Sequence, residues 1–238
     1  MTDATLQGPR IVIFGGSSGM GLATAKLAAQ KGGEVTVVSR NPARLAKAAG
    51  QIDGAEIVSL DIRDAASVRL FFEEREPFDN VVVSAAELTA GPLRQRSLEE
   101  ARAAMESKFW GAVHVAHAAR ISPGGTLTLV SGMLGSRPSG SATMLSAINA
   151  ALDNFARALA SEMAPVRVNC VSPGRIDTEW WDYLPADERA KLLQRTADAL
   201  PVKRIGRPED VAAQIVQMME NTFMTGSVVL VDGGGQVA

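Results

Sequence analysis

Short apolar runs rich in Val and Ile recur along the chain, separated by longer segments with helical spacing. The runs fall at Arg10–Phe14, Glu34–Ser39, Glu56–Leu60, Asn80–Ser84, Thr126–Ser131, Arg167–Val171 and Ser227–Val231. They are mostly apolar at consecutive positions rather than alternating, the pattern of strands covered on both faces of a parallel sheet. Between them, Gly19–Lys31, Pro42–Gly50, Ala65–Glu74, Leu98–Arg120, Leu145–Met163 and Pro208–Met219 predict helices. Two carry start signals: Asn41 before Pro42, and Pro208 followed by Glu209 and Asp210, acids that suit the positive end of a helix dipole. Strand and helix in alternation predict right-handed crossovers and a doubly wound α/β sheet, with residues 1–238 forming a single domain.

One long segment breaks this rhythm. Gly174–Arg207 carries Trp180, Trp181 and Tyr183 near its start and a short helix of its own around Asp187–Ala199. Inserted at the carboxyl edge of a sheet, it reads as a small helical lid over a substrate, or else as an excursion packed on the core.

Composition narrows the class. At 46% hydrophobic and 21% charged residues the chain reads as globular rather than disordered. A net charge of −2 offers no electrostatic footprint for nucleic acid or an anionic membrane. The single cysteine, Cys170, lies inside an apolar strand, which points to a core residue and a reducing compartment. Met1–Thr5 shows no basic n-region leading into an apolar stretch, and no apolar run reaches the roughly 20 residues of a membrane span. The expectation is a cytoplasmic protein. His114 and His117, at i and i+3, lack a third metal-ligand signal, so packing or an oligomer interface is expected and no metal.

The chemistry begins where Arg10–Phe14 runs into Gly15-Gly16-Ser17-Ser18-Gly19-Met20-Gly21 and then a helix. Glycine at 15 or 16 permits a tight turn, Gly19 admits backbone N–H groups close to a pyrophosphate, and Gly21 allows close helix–strand packing. The bland reading is a glycine-rich turn with no ligand. The second strand ends in Ser39-Arg40. An acid there would bind ribose hydroxyls and repel a 2′-phosphate, whereas a hydroxyl and a guanidinium suit that phosphate, so NADP(H) is preferred over NAD(H). Arg40 also reads as a solvated residue before a helix start. After the third strand, Asp61 and Ile62 stand where a carboxylate and backbone hold an adenine, or where Asp61 caps the next helix.

With these pieces the sequence resembles the short-chain dehydrogenase/reductase family along nearly its whole length. The matching stretches are Gly15–Gly21, Asp61, Phe78–Val83, Arg167–Gly174, Gly206–Ala212, and Thr225-Gly226 through Val231–Gly234. The resemblance implies a seven-stranded parallel Rossmann-type sheet with a dinucleotide across its carboxyl edge, and commonly a homotetramer or homodimer. It implies that Pro173, Gly174, Ile176 and Thr178 meet the nicotinamide half, and that Ser84 and Ala85 line the cofactor where the family has Asn-Asn-Ala-Gly.

Family chemistry uses a Tyr-x-x-x-Lys helix, a Ser that orients the carbonyl and an Asn that anchors a relay water. Set against that pattern, Leu145 stands at the Tyr position, Asn149 at the Lys position, Gly132 at the Ser position with Ser131 just before it, and Lys108 at the Asn position. Leucine carries no titratable proton, and the only tyrosine is Tyr183. Ordinary tyrosine-dependent carbonyl reduction is therefore not expected. Two functions that use the phosphate loop remain, beside a third, binding without cofactor, that leaves it idle. One is an NADP(H) oxidoreductase with another acid, either Lys108, paired with Asn149 if the two face each other, or Tyr183 on a closing lid, with Ser131 taking the Ser position if the loop shifts by one residue. The other is a silent NADP(H)-binding protein serving as sensor, scaffold or oligomer partner. Surface exposure for Lys108, and packing with Trp180 and Trp181 for Tyr183, are the plain readings beside these. Met133, Leu134 and Met144 suggest an apolar small-molecule ligand.

Overall fold

The computed structural model describes residues 8–87 and 90–238; Met1–Thr5 lies outside them. Seven parallel strands, β1 (Arg10–Phe14), β2 (Glu34–Ser39), β3 (Glu56–Ser59), β4 (Phe78–Val83), β5 (Ile121–Val130), β6 (Arg167–Pro173) and β7 (Val228–Val231), lie in the order β3-β2-β1-β4-β5-β6-β7. The order reverses between β1 and β4. A doubly wound sheet opens a crevice at that point, beyond the carboxyl ends of its strands.

The two-sided burial of β1 shows why the strand runs are apolar throughout. Val12 and Phe14 point into a layer formed by α3 (Ala65–Glu73), α4 (Leu98–Met105), α5 (Gly111–Ala118) and α6 (Thr143–Glu162). Ile11 and Ile13 point the other way, against α1 (Gly19–Gln30), α2 (Pro42–Ala49) and α8 (Pro208–Glu220). In the first layer Phe14, Phe71, Phe72 and Phe78 pack ring against ring, with centroids 5.1–6.0 Å apart. Each such ring buried contributes about 1.5–3 kcal/mol. The start signals work as read: Asn41 Oδ1 accepts from Arg44 N at the head of α2.

Three expectations need correction. The predicted helix Leu98–Arg120 is two α-helices joined by a π-helical turn, Glu106–Trp110, and it ends at Ala118. The extra residue in that turn carries Ser107 and Lys108 inward. Gly111 sits so close to Ile62 that a Cβ would lie 2.4 Å from the Ile62 Cδ1. β5 begins at Ile121, ahead of the expected Thr126: Ile121 pairs with Phe78 before an irregularity, and the main register begins at Thr126 opposite Asn80. Asp61 does not cap the following helix; Asp64 does, its Oδ1 accepting from Ala66 N and Ser67 N.

The buried Arg167, 8% exposed, ties the sheet to the end of α8. Its guanidinium donates to the carbonyls of Met218, Met219, Asn221 and Met224 at 2.7–3.1 Å. These acceptors are the orphan carbonyls and following turn at a helix C-terminus, where positive charge is favoured. Arg167→Met, which keeps the volume and leaves those acceptors unpaired, is expected to lower unfolding stability by about 2–3 kcal/mol. Urea denaturation of the two proteins reads the difference directly.

Candidate active site

A cleft of about 1280 Å³ lies beyond the carboxyl ends of the strands, and the cofactor-side residues expected from sequence line it, Gly21 excepted. Gly15, not Gly16, makes the tight turn: its φ is +85°, its N donates to Val38 O at 2.8 Å, and a Cβ there would lie 2.5 Å from Ala85 N. Gly21 works behind the loop, where a Cβ would fall 2.2 Å from Gly15 O. The first turn of α1 has no acidic residue, and Ser18 makes no side-chain cap, so its N–H groups stay free for an anion. Ser17 Oγ donates to Ser39 Oγ at 2.9 Å, joining the loop to the end of β2. Cradle, free donors and positive dipole end together fit a pyrophosphate.

At the far end of the cleft, charged side chains form a network that sequence order does not reveal. Arg40 donates to Glu87 Oε2 at 2.8 Å, and Arg63 approaches the same oxygen at 3.5 Å. Arg63 also grips Asp61 at 2.6–3.0 Å and holds its carboxyl below the usual range. Arg44 adds a further guanidinium to the wall.

In the middle of the cleft lies Lys108, only 6% exposed. Its ammonium donates to Ser131 O and to Asn149 Oδ1, both at 2.6 Å, so the two positions singled out together in the sequence do face each other. Burial pushes the Lys108 pKa down from 10.5 to about 8, while Asp153 and Cys170 pull it partly back up. Lys108 is thus not a surface lysine. Asn149 turns its amide nitrogen toward Gly132, where a Cβ would lie 2.7 Å from Nδ2.

Other sequence candidates are placed differently. Ser131 faces Lys108 with its backbone carbonyl; its hydroxyl lies 3.5 Å from Val171 O, inside the sheet. Tyr183 is 66% exposed and packs edge-on to Trp180 at 5.9 Å. Leu145 lines the cleft and offers it only hydrocarbon. Cys170 is fully buried, its thiol pushed up to about 12 by burial. His114 Nδ1 lies 2.9 Å from Ile62 O, and among the described residues no three His, Cys, Asp or Glu converge on one point. The sequence reading missed Glu87, Arg44 and Arg63 at one end and Arg137, Arg175 and Arg195 at the other. Arg195 alone left a trace, standing three residues from Leu192 and four from Ala199 on one helical face.

The chain matches the family model described as enoyl-(acyl carrier protein) reductase over residues 15–236. It is 32% identical to a short-chain dehydrogenase/reductase of Stachybotrys chlorohalonatus, covering 97% of this chain and 98% of that protein. The chain belongs to the short-chain dehydrogenase/reductase family. Within it, the human 3-oxoacyl-[acyl-carrier-protein] reductase is 31% identical over 94% of this chain and 97% of its own length. Among solved structures, a small-chain dehydrogenase in complex with NADPH superposes with a TM-score of 0.85 at 34% identity, covering 97% of this chain and all of the other. L-sorbose reductase from Gluconobacter frateurii, complexed with NADPH and L-sorbose, gives a TM-score of 0.89 at 27% identity, with both chains covered completely.

The titration of Lys108 leaves a signature in stability. Between about pH 8 and 10.5 the unfolded chain keeps a proton that the folded chain has released, so stability rises with pH through that window. Urea midpoints of the native chain and Lys108→Met at pH 7.5 and pH 10 should move apart in favour of the native chain as pH increases.

Proposed function

We propose that this dehydrogenase/reductase is an NADP(H)-dependent oxidoreductase in which Lys108 supplies the proton that tyrosine supplies elsewhere in the family. The observation that carries the reading is the buried ammonium held between Ser131 O and Asn149 Oδ1 at 2.6 Å, with its pKa brought down to about 8. A group with that pKa is mostly protonated at neutral pH yet titrates within about one unit of it, the range in which general acids transfer protons efficiently. Two of its three N–H groups are fixed by protein acceptors, which orients the ammonium. Asn149 and Lys108 restore the family's ammonium–amide pair with the two positions exchanged.

Bound NADPH supplies a hydride to a carbonyl or polarised alkene. The phosphate loop of Gly15–Gly21 and the first turn of α1 hold the pyrophosphate; Ser39, Arg40, Asp61 and Ile62 hold the adenosine end. Ser84, Ala85, Asn149, Pro173, Gly174, Ile176 and Thr178 line the nicotinamide half. Lys108 Nζ stabilises the oxyanion left on the substrate and delivers its proton. NADP(H) is preferred because Arg40, with Arg44 and Arg63 beside it, would hold a 2′-phosphate in place of the Glu87 carboxylate. The segment 174–207 acts as the lid, and the protein works as a homodimer or homotetramer in the cytoplasm.

The second reading, a silent NADP(H)-binding partner or sensor, draws on Leu145: the tyrosine position offers the cleft no proton at all. Calorimetry and turnover separate the two. NADPH is expected to bind more tightly than NADH, Arg40→Ala to weaken NADPH about tenfold with little effect on NADH, and Glu87→Gln to tighten NADPH. Lys108→Met is expected to leave NADPH binding intact and lower NADPH oxidation about 10²–10⁴-fold against a panel of ketones and enones. Binding without turnover by the native chain on any of that panel favours the silent reading, and no binding of either nucleotide defeats both.

A further inference from the structure

We infer that the substrate half of the cleft takes a ligand with an anionic head group, a carboxylate or phosphate ester, on an apolar body. The inference rests on the proposed function in one respect: the phosphate-loop half is assigned to the dinucleotide. The remaining half is walled by Met133, Leu134, Leu145, Trp181 and Leu192, which would suit any apolar molecule. Three guanidinium groups, from Arg137, Arg175 and Arg195, share that wall.

Their placement follows from the elements that carry them. On α7 (Ala186–Ala199), Leu192, Arg195, Thr196 and Ala199 fall at spacings of three, four and seven, so one helix face looks into the cleft. Arg175 Nη1 donates to Thr196 Oγ1 at 3.0 Å, which ties it to the same face. Arg137 comes from the opposite wall, between β5 and α6, and donates to Gly235 O.

Three neighbouring cations are neutralised locally. Arg189 pairs with Asp177 and Asp182 at 2.7 Å, Lys191 with Asp187 at 3.4 Å and Arg204 with Asp210 at 2.6 Å. Arg137, Arg175 and Arg195 make no ion pair with any described residue. The cleft wall contains two carboxylate side chains, Asp61, held by Arg63, and Glu179, beside Gly19, both toward the cofactor half, and also Ala238, whose terminal carboxylate pairs with none of the three arginines. Three uncompensated guanidinium groups above an apolar floor match a ligand that is negative at one end and hydrocarbon at the other. Guanidinium binds carboxylate and phosphate through paired, charge-assisted hydrogen bonds, so such a ligand gains from both parts of the wall.

Decanoate, decyl phosphate and decanol share one chain and differ in head group, and calorimetric titration of each into the full-length protein, with and without NADPH, tests the inference. Decanoate or decyl phosphate is expected to bind at least about tenfold more tightly than decanol, the tighter of the two identifying the head group. Arg195→Gln and Arg137→Gln should each reduce that preference, and the double variant should abolish it. Arg204→Gln, outside the cleft, should leave it unchanged, and thermal melts show that the variants are folded. Equal affinity for decanol, absence of binding by all three compounds, or a preference that survives the double variant overturns the inference. NADPH affinity is read in the same titrations: its absence defeats the proposed function, whereas loss of head-group selectivity with NADPH affinity intact defeats this inference alone.

Discussion

Strands β1 and β4 lie side by side in parallel register, from Ile11 opposite Asn80 to Phe14 opposite Val83. After β1 the chain crosses to β2 on one side; after β4 it crosses to β5 on the other. The two departures leave a crevice beyond the ends of β1 and β4, over Gly15 and Ser84, that no crossover covers. Into that crevice fit a loop with no side chain at its tightest point and the N-terminus of α1, and both are possible only because Gly15 and Gly21 lack a Cβ. The ladder thus decides where the cleft is, which helix end faces it and which strand termini can supply side chains.

A buried ammonium is the costliest group in this cleft. Bringing Lys108 out of water is offset by a backbone carbonyl, an amide oxygen and the field of Asp153, itself buried. That compensation is partial, which is why the amine loses its proton more readily than a surface lysine. The π-helical turn makes the placement possible: a regular helix through Glu106–Trp110 would present a different face to Asn149. One irregular turn thus sets both the position and the acidity of the cation.

What the sequence disclosed follows the range of the interactions concerned. The phosphate loop was legible because strand, glycines and helix start are contiguous, and the apolar runs were legible because both faces of each strand are covered. Ser39 and Arg40 were legible by their place at a strand end, but Glu87, which pairs with Arg40, lies 47 residues further along in a loop with no periodicity. Lys108 and Asn149, 41 residues apart, are linked in the sequence only through the family resemblance. The π turn left no mark, since its extra residue does not alter hydrophobic spacing enough to register. The orientation of the Ser131 hydroxyl was equally hidden, because one residue decides whether a strand-end side chain faces the cleft or the sheet.

The segment that begins at Gly174 and ends near Arg207 is closed at its base. Ile176 bridges Gly206 in parallel, with Asp177 N donating to Gly206 O at 2.9 Å and Gly206 N to Arg175 O at 3.3 Å. A Cβ at 206 would lie 2.5 Å from Ile176 Cδ1 and 3.1 Å from Arg175 O, so glycine leaves room for the two ends to meet. The closure entropy of this long excursion is therefore spent in folding, independently of any ligand. For the proposed lid, what closure would still have to order is the attitude of a short helix on a fixed stem, a far smaller loss of freedom than gathering an open loop.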